Sequence, residues 1–115
     1  MDREALKKQA CVIIDDMSDA LISASHAIHA KPELAFEEHF AHGLLTDRVE
    51  EAGLPVERGA CGLDTAFTSS FGDTGVEVGI LSEYDALPGI GHACGHNIIA
   101  TSGLGAALAL SKLGA

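Results

Sequence analysis

Tryptophan is absent from this 115-residue chain, and aromatic residues of all kinds make up only 4% of it. A core without large rings must be aliphatic, built from Leu, Ile, Val and Ala. Basic residues are scarce as well: seven Lys and Arg stand against 17 Asp and Glu, for a net charge of -10. No clustered cations are available for a phosphate backbone, so nucleic acid is excluded as a partner. An anionic membrane surface is excluded on the same ground. The three cysteines, Cys11, Cys61 and Cys94, are odd in number and widely spaced, with no Cys-x-x-Cys. That pattern is no disulfide framework, and a reducing, cytoplasmic setting is expected. Long hydrophobic runs are missing too. Ile98 to Leu110 is the most apolar stretch, short of the roughly 18 residues of a membrane span. The opening "MDREALKKQA" has no apolar signal core.

What remains is enough for one small soluble domain. Hydrophobic residues make up 47% and charged residues 21%, which argues against global disorder. Leu6, Ala10, Ile13, Met17, Leu21, Ala24 and Ile28 recur every three or four positions. This predicts one amphipathic helix over residues 3–29, ending before Pro32. A second helix is expected over 37–52, with Glu37 and Glu38 in its first turn and Gly53 and Pro55 as its stop. Its apolar side would hold Phe40, Leu44, Leu45, Val49 and Ala52. The period then shortens. Strands are expected in 54–59, 64–72 and 75–85, the last alternating at Val76, Val78 and Ile80. Residues 98–113 read as a third helix, apolar nearly all round, with Gly103 and Gly105 allowing close backbone approach. The order of elements suggests an α/β layer architecture. A buried strand and helix with no following strand suggest the front part of a larger domain.

The densest chemistry lies in "EYDALPGIGHACGHN", Glu83 to Asn97. Cys94 and His96 are two apart, a spacing that cannot share a helix face but can converge on a loop. Asn97 suits the N-cap of the following helix. Thiolate with imidazole favours zinc or another borderline transition metal. Glu83 and Asp85 share a face of a strand end, where they could ligate a metal or hold a ligand histidine from behind. Each group also has a structural reading: a cysteine often packs as a small hydrophobe, and a histidine often serves a hydrogen bond. Cys11 and Cys61 are expected to be packing residues. The pairs His26/His29 and His39/His42 have metal-ligand spacing, but solvated helix faces explain them as well. A cysteine hydrolase with Cys94 as nucleophile and His92 or His96 as base is also open. So is a non-enzymatic interaction module.

"HAKPELAFEEHF" and "EYDALPGIGHACGHNIIA" together resemble the metal-dependent amidohydrolases of the aminoacylase and carboxypeptidase superfamily. The likeness is to the branch of aminobenzoyl-glutamate hydrolase and the aminoacylase-1-like-2 proteins. It implies a catalytic α/β domain with a mixed central sheet flanked by helices. This chain would be the N-terminal part of that domain, residues 1–115, without the lid domain. The reaction implied is hydrolysis of an amide linking an amino acid to an acyl or aminoacyl group. N-acyl amino acids, aminobenzoyl-glutamate and dipeptides are the substrate class, and the full-length form would dimerise. The resemblance makes Cys94 and His96 ligands of a divalent metal, zinc or manganese, and Asp85 a catalytic support for that site. Glu83 stands where the wider superfamily has a histidine ligand, and His92 is expected to hydrogen-bond near the site. A general-base glutamate and further histidine ligands are implied downstream of the cysteine motif. Glu37–Glu38 and Glu50–Glu51 precede the motif and do not correspond, so the chain alone is expected to be inactive.

Overall fold

A computed structural model describes residues 2–114. In chain order it has α1 (Arg3–Asp16), α2 (Ser18–Ala30), α3 (His39–Glu51), β1 (Glu57–Arg58), a 3-10 turn (Ala60–Gly62), β2 (Phe67–Thr68) and α4 (His96–Lys112). The helix expected over 3–29 is therefore two, broken at Met17, where φ is -93° and ψ is 0°. The Met17 N–H is shared between the carbonyls of Ile13 and Ile14, at 3.2 and 3.1 Å. Asp15, Asp16, Ser18 and Asp19 surround the break. Short polar side chains compete for the backbone, and like charges three or four apart repel. The apolar stripe survives the break, and its burial deepens along the chain. No residue of α1 is buried, whereas Ala24 and Ile28 of α2 are.

Helix α3 starts at His39, so Glu37 and Glu38 precede its first turn rather than occupy it. The carboxylate that meets its N-terminus comes from Glu33. Oε2 accepts the Phe40 N–H at 2.8 Å and Oε1 accepts the Ala41 N–H at 2.9 Å. Both are donors that the helix itself leaves unpaired, and the negative charge faces the positive end of the helix dipole. The helix stops at the expected place, with Gly53 at φ 84°. Ala41, Leu45 and Val49 join Ile28, Tyr84, Ala100, Leu104 and Leu108 in one core. Ala52, expected on the apolar side, is exposed.

The sheet departs most from expectation. Two short strands pair antiparallel, Glu57 with Thr68 and Arg58 with Phe67, within the first two predicted segments. The third strand and the mixed central sheet are not formed among the described residues. Residues 69–85 make no backbone–backbone hydrogen bond, and Val76 and Val78 are 91% and 79% exposed. Alternation prepares one apolar face, but a strand exists only when a neighbour pairs with its N–H and C=O groups. The fold of the described residues is coarsely mixed α and β: α2, α3 and α4 around a mainly aliphatic core, with α1 beside them and a two-stranded ribbon.

Helix α4 starts at His96, capped by Gly95 at φ 79°. Asn97 is thus inside the helix and is not its N-cap. It is buried, and its amide donates to Ser25 Oγ of α2 at 3.0 Å. The close approach expected at the glycines is present. A Cβ on Gly103 would lie 2.0 Å from Ser82 Oγ, and one on Gly105 would lie 3.0 Å from Leu21 Cδ1. The helix is not buried all round, since Ile98 is 61% exposed. Cys11 and Cys61 are exposed, which corrects their reading as packing residues. Cys11 sits on the outer side of α1, and Cys61 lies in the 3-10 turn at φ 57°. No helix of the described residues is long and apolar enough to cross a membrane.

Candidate metal centre

The stretch from Glu83 to Asn97 runs as an extended end, a tight turn and the first residues of α4. The turn is closed by the Leu87 N–H donating to the Gly91 carbonyl at 2.9 Å. It returns the chain so that Asp85 meets the start of α4. His96 Nδ1 and Asp85 Oδ1 are 2.8 Å apart. An ionised carboxylate can only accept, so in the neutral ring Nδ1 is the donor and Nε2 is left with its lone pair. Glu83 Oε1 lies 3.7 Å from Nε2. Glu83 and Asp85 therefore do face one ring. Asp85 is the inner of the two, its side chain 30% exposed against 55% for Glu83.

Cys94 is exposed one residue before the Gly95 cap. Its thiol and His96 Nε2 are the donors that a borderline divalent ion prefers, and Asp85 behind the imidazole is the usual support of a metal-bound histidine. Among the described residues, no three His, Cys, Asp or Glu side chains converge as a metal site. The residues fit a divalent ion in kind and fall short of it in number.

His92 does not make the hydrogen bond expected of it. It is 7% exposed, and neither ring nitrogen has a hydrogen-bond partner. Its ring centroid is 6.3 Å from that of His29 on α2. Burial pushes its pKa below the usual histidine value, and neighbouring His29 and His96 push it further. His26 and His39 are exposed. His42 is structural, its Nε2 3.1 Å from the Ala66 carbonyl and its ring edge-on to Phe67.

Four residues that brace this stretch, Glu33, Glu38, Thr65 and Tyr84, escape a reading of the sequence for site residues. The Ala86 N–H donates to the Glu33 carbonyl at 2.7 Å. The Tyr84 hydroxyl donates to the Thr65 carbonyl, and the Thr65 hydroxyl donates to Glu38 Oε1 at 2.8 Å. Burial, with the Glu38 charge nearby, pushes the Tyr84 pKa up to about 12. The signal that points to the two glutamates is the motif "HAKPELAFEEHF", which contains both, and Tyr84 lies within "EYDALP".

No family model matches the chain. Individual relatives do. An Xaa-Arg dipeptidase of Mus musculus is 47% identical over 118 residues, covering 93% of this chain and 27% of the relative. A p-aminobenzoyl-glutamate hydrolase subunit of Escherichia coli is 35% identical over 98 residues, covering 70% and 20%. Thermostable carboxypeptidase 2 of Saccharolobus solfataricus is 30% identical over 115 residues, covering 86% and 29%. The chain belongs to the superfamily of amidohydrolases and peptidases that these proteins represent. Within it, the chain is similar to the Xaa-Arg dipeptidases and to p-aminobenzoyl-glutamate hydrolase. It spans about a quarter of the length of the dipeptidases, so it corresponds to a fragment of them.

Proposed function

We propose that this chain is part of a metal-dependent amidohydrolase or dipeptidase. In this reading Cys94 and His96 hold a zinc or manganese ion, and Asp85 supports them. The observation that carries it is the 2.8 Å contact between Asp85 Oδ1 and His96 Nδ1. This contact fixes the tautomer and aims the Nε2 lone pair. Cys94 supplies a thiolate from the loop, and Gly95 lets the chain turn between the two donors. The ion would polarise an amide carbonyl and make a bound water more acidic. The substrates proposed for the longer protein are N-acyl amino acids, aminobenzoyl-glutamate and dipeptides. For that longer form we also propose a cytoplasmic setting and a homodimer. The chain alone is expected to bind metal weakly and to hydrolyse nothing, because two donors leave the site incomplete.

Titration with cadmium tests the site. The ultraviolet thiolate-to-cadmium band should appear with one ion per chain, vanish in Cys94→Ser and weaken in His96→Ala. A wild-type chain without that band would overturn the reading. Release of amino acid from an N-acyl substrate by the chain alone, abolished by a chelator, would overturn the inactivity. The Asp85–His96 pair also suits a base for a Cys94 nucleophile. Hydrolysis that survives chelation and is lost on alkylation of Cys94 would favour that second reading.

A further inference from the structure

We infer that Glu33 is the positioning residue of the Asp85–His96 pair, a clamp that fixes the "DALP" turn to the start of α3. The inference rests on the proposed roles of Asp85 and His96. Glu33 is gripped at both ends. Its carboxylate takes the Phe40 and Ala41 N–H groups at 2.8 and 2.9 Å, anchoring it to α3. Its carbonyl takes the N–H of Ala86, the residue after Asp85, at 2.7 Å. Ala86 is 5% exposed, so an unmet N–H there would be costly. Residues 69–85 themselves make no backbone–backbone hydrogen bond among the described residues. The hydrogen bond at Ala86 is therefore the first backbone tether in the segment that carries Asp85.

The neighbouring contacts act in the same direction. Pro32 lies against Gly91 on the far side of the turn, 3.8 Å from where a Cβ would stand. Lys31 Nζ sits 4.6 Å above the Phe40 ring. The segment around Glu33 thus touches the turn and α3 together. Glu38 adds a second brace, through Thr65 to the Tyr84 hydroxyl. The Glu33 carboxylate therefore does more than cap a helix: by fixing the main chain whose carbonyl holds Ala86, it sets where Asp85 meets the imidazole.

The test uses the metal-free chain, so its outcome is independent of whether cadmium binds. Native-state amide exchange reads the Ala86 tether, and imidazole nitrogen NMR at constant alkaline pH reads the His96 tautomer. Glu33→Ala should speed Ala86 exchange by at least about tenfold and shift His96 away from the Nδ1–H form. Glu33→Gln, which keeps one acceptor oxygen, should fall between wild type and Ala. The control is Asp2→Ala, which removes the cap that Asp2 gives the Ala5 N–H at 3.0 Å and should move neither signal. Ala86 protection and tautomer that stay as in wild type in both Glu33 variants would overturn the inference. Should both variants unfold, the wild type still decides. Ala86, Phe40 and Ala41 must exchange as one unit, and an Ala86 amide about tenfold faster than the other two refutes the clamp.

Discussion

His96 is held by Asp85 at 2.8 Å through Nδ1, which leaves Nε2 free on the side where Glu83 stands at 3.7 Å. One carboxylate is bonded to the ring and the other only near it. The two acids of "EYD" thus have different roles on one imidazole. Asp85→Asn keeps the size of the side chain but can present its amide donor to Nδ1. Metal affinity should fall by about 10–100-fold, as for other supports behind a ligand histidine. Glu83→Gln should change it far less. Cadmium titration of the two variants, followed by the thiolate band, measures both.

His92 should make the protein acid-sensitive. Its folded pKa lies below the unfolded value of 6.5 because it is buried and has His29 and His96 beside it, opposed by Asp85 and Glu33. The unfolded chain therefore binds more protons than the folded one as pH falls below about 6.5, and stability declines there. Stability from the neutral ring is complete above the unfolded pKa. It is lost on the way down to the folded one. Urea midpoints in a chelating buffer between about pH 7.5 and about pH 5 should drop in wild type and drop less in His92→Leu.

Tyr84 gives the opposite sign at the alkaline end. Its pKa is raised to about 12, so the folded state holds its proton where the unfolded chain has begun to lose it. Its contribution is intact below pH 10 and declines as pH rises toward 12. Tyr84→Phe removes the donor to the Thr65 carbonyl. A cost of about 1–2 kcal/mol is expected in urea unfolding at neutral pH, together with a flatter alkaline profile.

Gly103 is where α4 meets the extended segment. A Cβ there would fall 2.0 Å from Ser82 Oγ and 3.1 Å from Ser82 Cβ. Gly103→Ala should therefore break the bond from Ser82 Oγ to the Ile99 carbonyl, 3.2 Å long. The net loss should be about 0–2 kcal/mol by thermal or urea unfolding, because the crowding is offset by the better helix propensity of alanine. Adding Ser82→Ala removes the clashing oxygen and should restore part of it. Equal stability of the single and double variants would show that the contact is not what limits the site.

Local rules made much of this protein legible. The stripe from Leu6 to Ile28 lies on one helical side, though the acids around Met17 divide it. Gly53 ends α3 with a φ of 84°, the left-handed conformation that glycine adopts at little cost just past a helix. Asp85 and His96 are candidates from residue type, a carboxylate, a thiol and an imidazole within a dozen positions, and the resemblance gives them their roles. What periodicity could not supply was the partner of each group. Residues 75–85 alternate like a strand, yet pairing is a property of a neighbour, and no described residue provides one. Asn97 reads as a cap. The left-handed turn at Gly95 starts the helix earlier, which frees the Asn97 amide to reach Ser25, 72 residues away in sequence.

Composition and pattern by themselves determined an aliphatic, acidic chain with amphipathic helices; the superfamily entered through the resemblance of two motifs and through the relatives. The chain's character and its helices depend on short-range physics: side-chain type, backbone preference and spacing of three or four residues. Only the tertiary structure decided that Asp85 holds His96, that Glu33 caps a helix with one end and the "DALP" turn with the other, and that His92 is buried without a partner. Those outcomes depend on which distant groups are brought within about 3 Å of one another. Such distances are set by the packing of α2, α3 and α4 around one core and not by any single stretch of the chain.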